Sequence, residues 1–336
     1  MNIIATWMYS SPDGEHIKHS QVGDSSCNQK VQDYYWRCVF LLFESSSRLN
    51  SDVRHILFVN KYPPDFIDGV DTNALLKQYK IEVVEFEKTT ISPSDYYEEW
   101  NTQFIILDVL DLLKNNVDTD DNIFILDSDI VFNKAVNDNI LNALNRYGAL
   151  LYSIDYDEGY CINGLTRREL LAIAREMNAN FPADEFIYSG GEFFCCKGSE
   201  ISSIADMARE SYRISLERHL NGLDKFNEEA HLLSYVYHVL GYRTHTANDY
   251  IKRIWSDRSD FSNIDGSELD LVFWHLPAEK KAGFVDVFRS FRNNDGVYTL
   301  TVNNLAQAYR IEEPFMSRLF RYFKQAIHSA YQVLQA

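Results

Sequence analysis

The chain has 336 residues, 46% hydrophobic and 14% aromatic, and a net charge of −17 from 49 acidic and 32 basic side chains. That apolar content supports a substantial core and excludes a disordered chain. The acidic balance argues against a nucleic-acid binder, so any anionic substrate must be met by a metal ion or a local basic pocket.

The first strand is expected over residues 2–9, followed by a polar loop over 10–24. A helix at 30–48, a strand at 55–60, a short helix at 70–79 and a strand at 81–86 come next. A helix over 96–114 then leads into residues 122–132, which read NIFILDSDIVF. Such an apolar run fits a central strand buried on both faces. Beyond it the pattern predicts a helix over 134–147, a strand over 149–155 and a helix over 166–177. Thr166 with Glu169 three residues on forms a capping box for that last helix. A strand interrupted by Gly190-Gly191 is expected over 185–197, and helices over 199–220 and 226–240, the latter closed by Gly241. Short strands are placed near 242–246 and 271–276. Strands alternating with helices predict an α/β fold, a mostly parallel central sheet flanked by helices. The first half resembles a Rossmann-like nucleotide-binding half, although it has no Gly-x-Gly-x-x-Gly and no Walker loop.

Cys27, Cys38, Cys161, Cys195 and Cys196 form no Cys-x-x-Cys pair. Cys195 and Cys196 read as buried thiols, and a reducing compartment is expected. No signal peptide and no apolar run of roughly 20 residues is found, so the expected location is cytoplasmic. The last helix, 314–336, carries an apolar stripe with Arg318, Arg321 and Lys324 off it. That suits packing on its own domain, a homodimer contact, or a peripheral contact with the inner face of an anionic membrane.

Four stretches carry chemistry. Asp127 and Asp129 end a buried strand, where unpaired carboxylates are costly to bury. Oxygen ligands there suit Mn²⁺ or Mg²⁺, with a capped turn as the alternative. Tyr188-Ser189-Gly190-Gly191-Glu192 either lets a sugar approach the backbone or marks a β-bulge. Glu228 and Glu229 open a helix, where they complement the helix dipole or project a carboxylate into the same cleft. His275 ends an apolar strand with Lys280 and Lys281 beyond it. It is either a third metal ligand, with lysines that offset diphosphate charge, or a core histidine beside a solvated lysine pair.

In this order the four stretches resemble the GT-A class of nucleotide-sugar glycosyltransferases, over most of residues 1–285. Glu228-Glu229-Ala230-His231-Leu232 is similar to the Asp-Glu-Ser-His-Leu segment of the retaining blood-group-type transferases, and Ser189-Gly190-Gly191 to their His-x-Gly-Gly segment. His275 with Lys280 or Lys281 resembles the late His-x-x-Gly-x-x-Lys segment of the glycogenin-type family, without its glycine. The resemblance implies a GT-A domain over 1–300 with a helical segment over 301–336. It implies a metal held by Asp127, Asp129 and His275, and a nucleotide-sugar donor, a UDP-sugar being favoured. Ala5, Thr6, Trp7 and Asn60 would seat the base, and Asp127 and Ser128 the ribose or sugar. Gly190, Gly191 and Glu192 would line the sugar and acceptor side. Lys280 or Lys281 would meet the diphosphate, and Glu229, with Glu228 beside it, would act at the anomeric carbon. The acceptor, whether saccharide, lipid-linked or protein, stays open. So do two rival readings, a sugar-nucleotide pyrophosphorylase and a non-catalytic nucleotide- or carbohydrate-binding protein.

Overall fold

The computed structural model describes residues 1–12, 26–97, 101–256, 261–293 and 302–311. The expected helix over 314–336 and most of the 10–24 loop lie outside them.

A six-stranded sheet forms the centre, in the order Ile81–Glu85, Val53–Val59, Asn2–Met8, Asn122–Leu126, Tyr188–Lys197, Ala149–Ile154. The first four strands pair in parallel, and Tyr188–Lys197 runs antiparallel to both its neighbours. Side-chain alternation buries both faces of the sheet. Ile3, Ala5, Ile56, Phe58, Ile123 and Ile125 pack against helices Ile106–Lys114 and Gly198–Leu220. On the opposite face Met8, Leu57 and Val59 meet helices Gln29–Leu49 and Gly283–Asn293. Neighbouring Cys195 and Cys196 point to opposite faces as free, buried thiols. Leu305, Ala306, Tyr309 and Ile311 join the same core, so residues 302–311 pack with the main body.

Helix ends follow the expected chemistry. The Thr166 side chain accepts from the Glu169 N–H at 3.3 Å, and Glu169 accepts from the Thr166 N–H at 2.7 Å, which closes the capping box. Gly241 takes φ +76° just past helix Glu229–Val239, as a glycine stop requires.

Two expectations are corrected. Residues 122–132 do not form one strand. Asn122–Leu126 ends in the large sheet, and Ile130–Phe132 starts a second sheet of three strands with Phe273–His275 and Ile251–Arg253. The acidic triplet turns the chain from one sheet into the other, because its carboxylates have no place in a dry ladder. Residues 242–246 form no strand either. Polar side chains satisfy the edge of Ala149–Ile154 instead. Thr246 accepts from the Leu151 N–H at 2.8 Å, and Asn248 both accepts from and donates to the Ser153 backbone.

Candidate active site

Three backbone hydrogen bonds fix the acidic turn. The Asp127 N–H donates to the Glu192 carbonyl at 2.9 Å, the Ile130 N–H to the Asp127 carbonyl at 3.0 Å, and the Leu276 N–H to the Asp129 carbonyl at 3.0 Å. The antiparallel register sets His275 opposite Ile130. Two residues 146 positions apart from Asp129 to His275 thereby meet: His275 Nε2 lies 3.2 Å from Asp129 Oδ2 and 3.9 Å from Asp127 Oδ2. One ligand atom from each of Asp127, Asp129 and His275 falls within 4.8 Å of the others. Asp129 is 2% exposed, whereas the Asp127 side chain is 36% exposed toward solvent.

The second nitrogen of His275 decides which tautomer serves. Nδ1 faces Glu192 Oε1 at 3.3 Å. The Glu192 carboxylate is in turn gripped by Arg253, with Nε donating at 2.8 Å and Nη2 at 2.6 Å. A proton held on Nδ1 toward Glu192 leaves the Nε2 lone pair directed at the two aspartates. Two carboxylates and one imidazole nitrogen so arranged fit a divalent ion of the Mn²⁺ or Mg²⁺ kind.

Cations balance the charge of the site's carboxylates. Burial works against the Asp129 charge, but Lys280, which donates to it, and His275 hold its carboxyl well below the usual range. Burial also opposes charge on His275, and the carboxylates of Asp129 and Glu192 outweigh it, raising the imidazole to about 9. Partial loss of water around its carboxyl group, and then the neighbouring Asp129, push Asp127 up to about 6.

Two clefts meet here, with Asp127 and Gln103 common to both. One is lined by Trp7, Tyr35, Gln32, Ser128, Asp129 and Lys280. It opens at the carboxyl ends of strands Asn2–Met8 and Asn122–Leu126, the usual ligand edge of such sheets. The other holds Tyr156, Tyr160, Asn163, Glu228, Glu229 and Trp255. Glu228 is the supported member of its pair: the Asn163 amide and the Tyr188 hydroxyl donate to it, and His231 Nε2 lies 3.2 Å away. Burial raises Glu228 to about 7 and depresses His231 to about 3. Glu229 Oε2 is buried and finds no hydrogen-bond partner among the described residues. Burial and Glu228 push Glu229 well above the ordinary carboxylate range.

The glycine pair answers to these carboxylates. A methyl group on Gly191 would sit 2.7 Å from Glu229 Oε1, and one on Gly190 would collide with Glu192. The strand register also shifts between Ser189 and Phe194, so the ladder is irregular across the glycine pair.

Several expected substrate contacts lie elsewhere. Ala5 is fully buried in the core and Thr6 is 0% exposed, so neither side chain faces a cleft. Asn60 braces the chain after the first strand, accepting from the Ser10 N–H at 2.8 Å and donating to its carbonyl at 2.9 Å. Trp7 does line the first cleft. The Glu192 carboxylate is committed to Arg253 and His275, which makes it a positioning group. Lys281 is exposed, and the short 3₁₀ turn Pro277–Glu279 turns Lys280 inward instead. Arg253, Tyr156, Asn163, Tyr35 and Gln103 carry no motif, so sequence reasoning passes over them.

No family model matches the sequence, and no curated protein matches it. Among solved structures, the apo form of mouse xyloside xylosyltransferase 1 is similar, with a TM-score of 0.48 and 8% identity over 82% of this chain and 97% of that chain. So distant a likeness carries no weight for function, which is built from the site. Among the described residues no helix is long and apolar enough to cross a membrane.

Proposed function

We propose that this chain is a metal-dependent glycosyltransferase. It moves a sugar from a nucleotide sugar, a UDP-sugar being favoured, to an acceptor hydroxyl with retention of configuration. One observation carries this: the Asp127, Asp129 and His275 donor set stands where two clefts meet, one with aromatic and lysine walls and one that holds Glu228 and Glu229. Those three residues would hold Mn²⁺ or Mg²⁺, which when bound supplies Lewis-acid charge to a departing diphosphate.

The chain's own groups divide the remaining work. Trp7 and Tyr35 line the cleft that would take the base. Lys280 presents an ammonium to the diphosphate and stabilises the leaving group. In the transfer, the C1–O bond to the diphosphate breaks and a C1–O bond to the acceptor forms. The hydroxyl proton passes to a departing phosphate oxygen. Glu229, across Asp127 in the second cleft, stabilises the positive charge developing at C1, and that charge favours its ionised form. Asn163 and Tyr188 fix Glu228 beside it.

The test is incubation with Mn²⁺ and a panel of UDP- and GDP-sugars, with EDTA as control, reading release of nucleoside diphosphate. Release that needs the metal is expected, and no release from any donor would refute the reading. Glu229→Ala is expected to lower kcat by at least about 10²-fold, within the range that positioned charge supplies. A near-full rate would remove its catalytic role.

A further inference from the structure

The second cleft has a composition that selects its occupant. Tyr156 and Tyr160 stack with ring centroids 4.7 Å apart and planes 5° apart. Tyr188 leans on Tyr156 at 5.7 Å and 57°. Tyr160 nevertheless remains 54% exposed, and Trp255 completes the wall. A tyrosine held rigid on one face by another ring, and open on the other, is preorganised to receive a flat, partly apolar ligand.

The floor below this wall is polar. Asn163 adopts φ +43° next to Gly164 at φ +84°, a turn that aims the Asn163 amide at Glu228. Arg253 reaches the rim, its Nη1 donating to the Tyr156 hydroxyl at 3.2 Å. A pyranose ring presents C–H groups on its faces and hydroxyls on its edge, which matches an aromatic wall above amide and carboxyl groups.

Charge narrows the choice further. Asp127, Glu192, Glu228 and Glu229 line this cleft. Arg253 is the cationic side chain facing them among the described lining residues, apart from His275, and its guanidinium is committed to Glu192. Among the described lining residues neither cation is uncommitted, because Arg253 holds Glu192 and His275 sits between Glu192 and the aspartates, so nothing there is set to receive a phosphate or carboxylate.

Resting on the transferase reading, we infer that the acceptor is a neutral saccharide, its ring stacked on Tyr160 and its hydroxyls within reach of Asn163 and Glu228. The test is ligand-observed saturation-transfer NMR on the full chain. Its probes are methyl glycosides of neutral pentoses and hexoses, a methyl glucuronide, and a Ser/Thr peptide. Neutral glycosides are expected to bind in preference to the other two. Tyr160→Ala is expected to weaken them about two- to tenfold, while Tyr160→Phe, which keeps the ring, restores binding. Preference for the glucuronide or the peptide would overturn the inference. So would neutral-glycoside binding that is absent or indifferent to Tyr160→Ala. Donor turnover is scored separately. Turnover without glycoside binding overturns the acceptor assignment alone, and Tyr160-dependent binding without turnover of any donor overturns the transferase reading alone.

Discussion

His275 divides its two ring nitrogens between two tasks, and the division can be measured. Nδ1 faces Glu192 and Nε2 faces the aspartates. Without metal, its folded pKa of about 9 exceeds the ordinary 6.5 of the unfolded chain. The proton therefore stabilises the fold fully below about pH 6.5, and that contribution, on the order of 3 kcal/mol, is lost as pH rises through about 9. A metal needs the lone pair that this proton occupies, so Mn²⁺ affinity runs the opposite way and climbs between pH 7 and 9. Urea unfolding of metal-free protein against pH, paired with Mn²⁺ titrations over the same range, checks both slopes. Metal affinity that stays flat from pH 7 to 9 would mean His275 does not exchange its proton for the ion. Glu192→Gln is expected to weaken Mn²⁺ about 10- to 100-fold by loosening the imidazole. Isothermal titration reads that loss directly.

At the scale of elements, the site depends on a change of sheet. Strand Asn122–Leu126 delivers Asp127, strand Ile130–Phe132 leaves with Asp129, and strand Phe273–His275 returns His275 to them. The residue types at these positions were legible in the sequence, and so was their order along the chain. The change of sheet was not, because the apolar run continues on both sides of the aspartates and alternation alone does not say where pairing partners switch. Lys280 and Lys281 are neighbours in sequence, and only the turn at Pro277–Glu279 distinguishes them. Arg253 carries no signal in the sequence for a similar reason: its partner Glu192 lies 61 residues away and meets it only through tertiary pairing. The pair is bidentate and Glu192 is buried, so Arg253→Met leaves that carboxylate without its guanidinium. Chemical denaturation is expected to show a loss of about 3–5 kcal/mol. Where strand Tyr188–Lys197 passes into helix Gly198–Leu220, a methyl group on Gly198 would run into the Asp118 carbonyl. Gly198→Ala is accordingly expected to cost about 1–3 kcal/mol in the same assay. An unchanged midpoint would show that the junction can yield.

The whole molecule is an acidic body, −17 overall, that places Lys280, His275 and Arg253 inside its central cleft. Its anionic surface gives no general attraction for a diphosphate; among the described residues Lys280 is the cation lining the first cleft, and a bound ion would add to it. Metal binding would then couple to stability: at Mn²⁺ one hundred times its Kd, about 2.7 kcal/mol is expected, seen as a concentration-dependent rise in Tm. The measurement closest to the central claim is a Mn²⁺ titration followed by electron paramagnetic resonance, on the intact chain and on Asp129→Asn, with and without UDP. One Mn²⁺ per chain is expected, bound more tightly when UDP is present and lost in Asp129→Asn. Equal Mn²⁺ binding by the intact chain and the variant, or binding indifferent to UDP, would contradict a metal at Asp127, Asp129 and His275 that serves a nucleotide sugar.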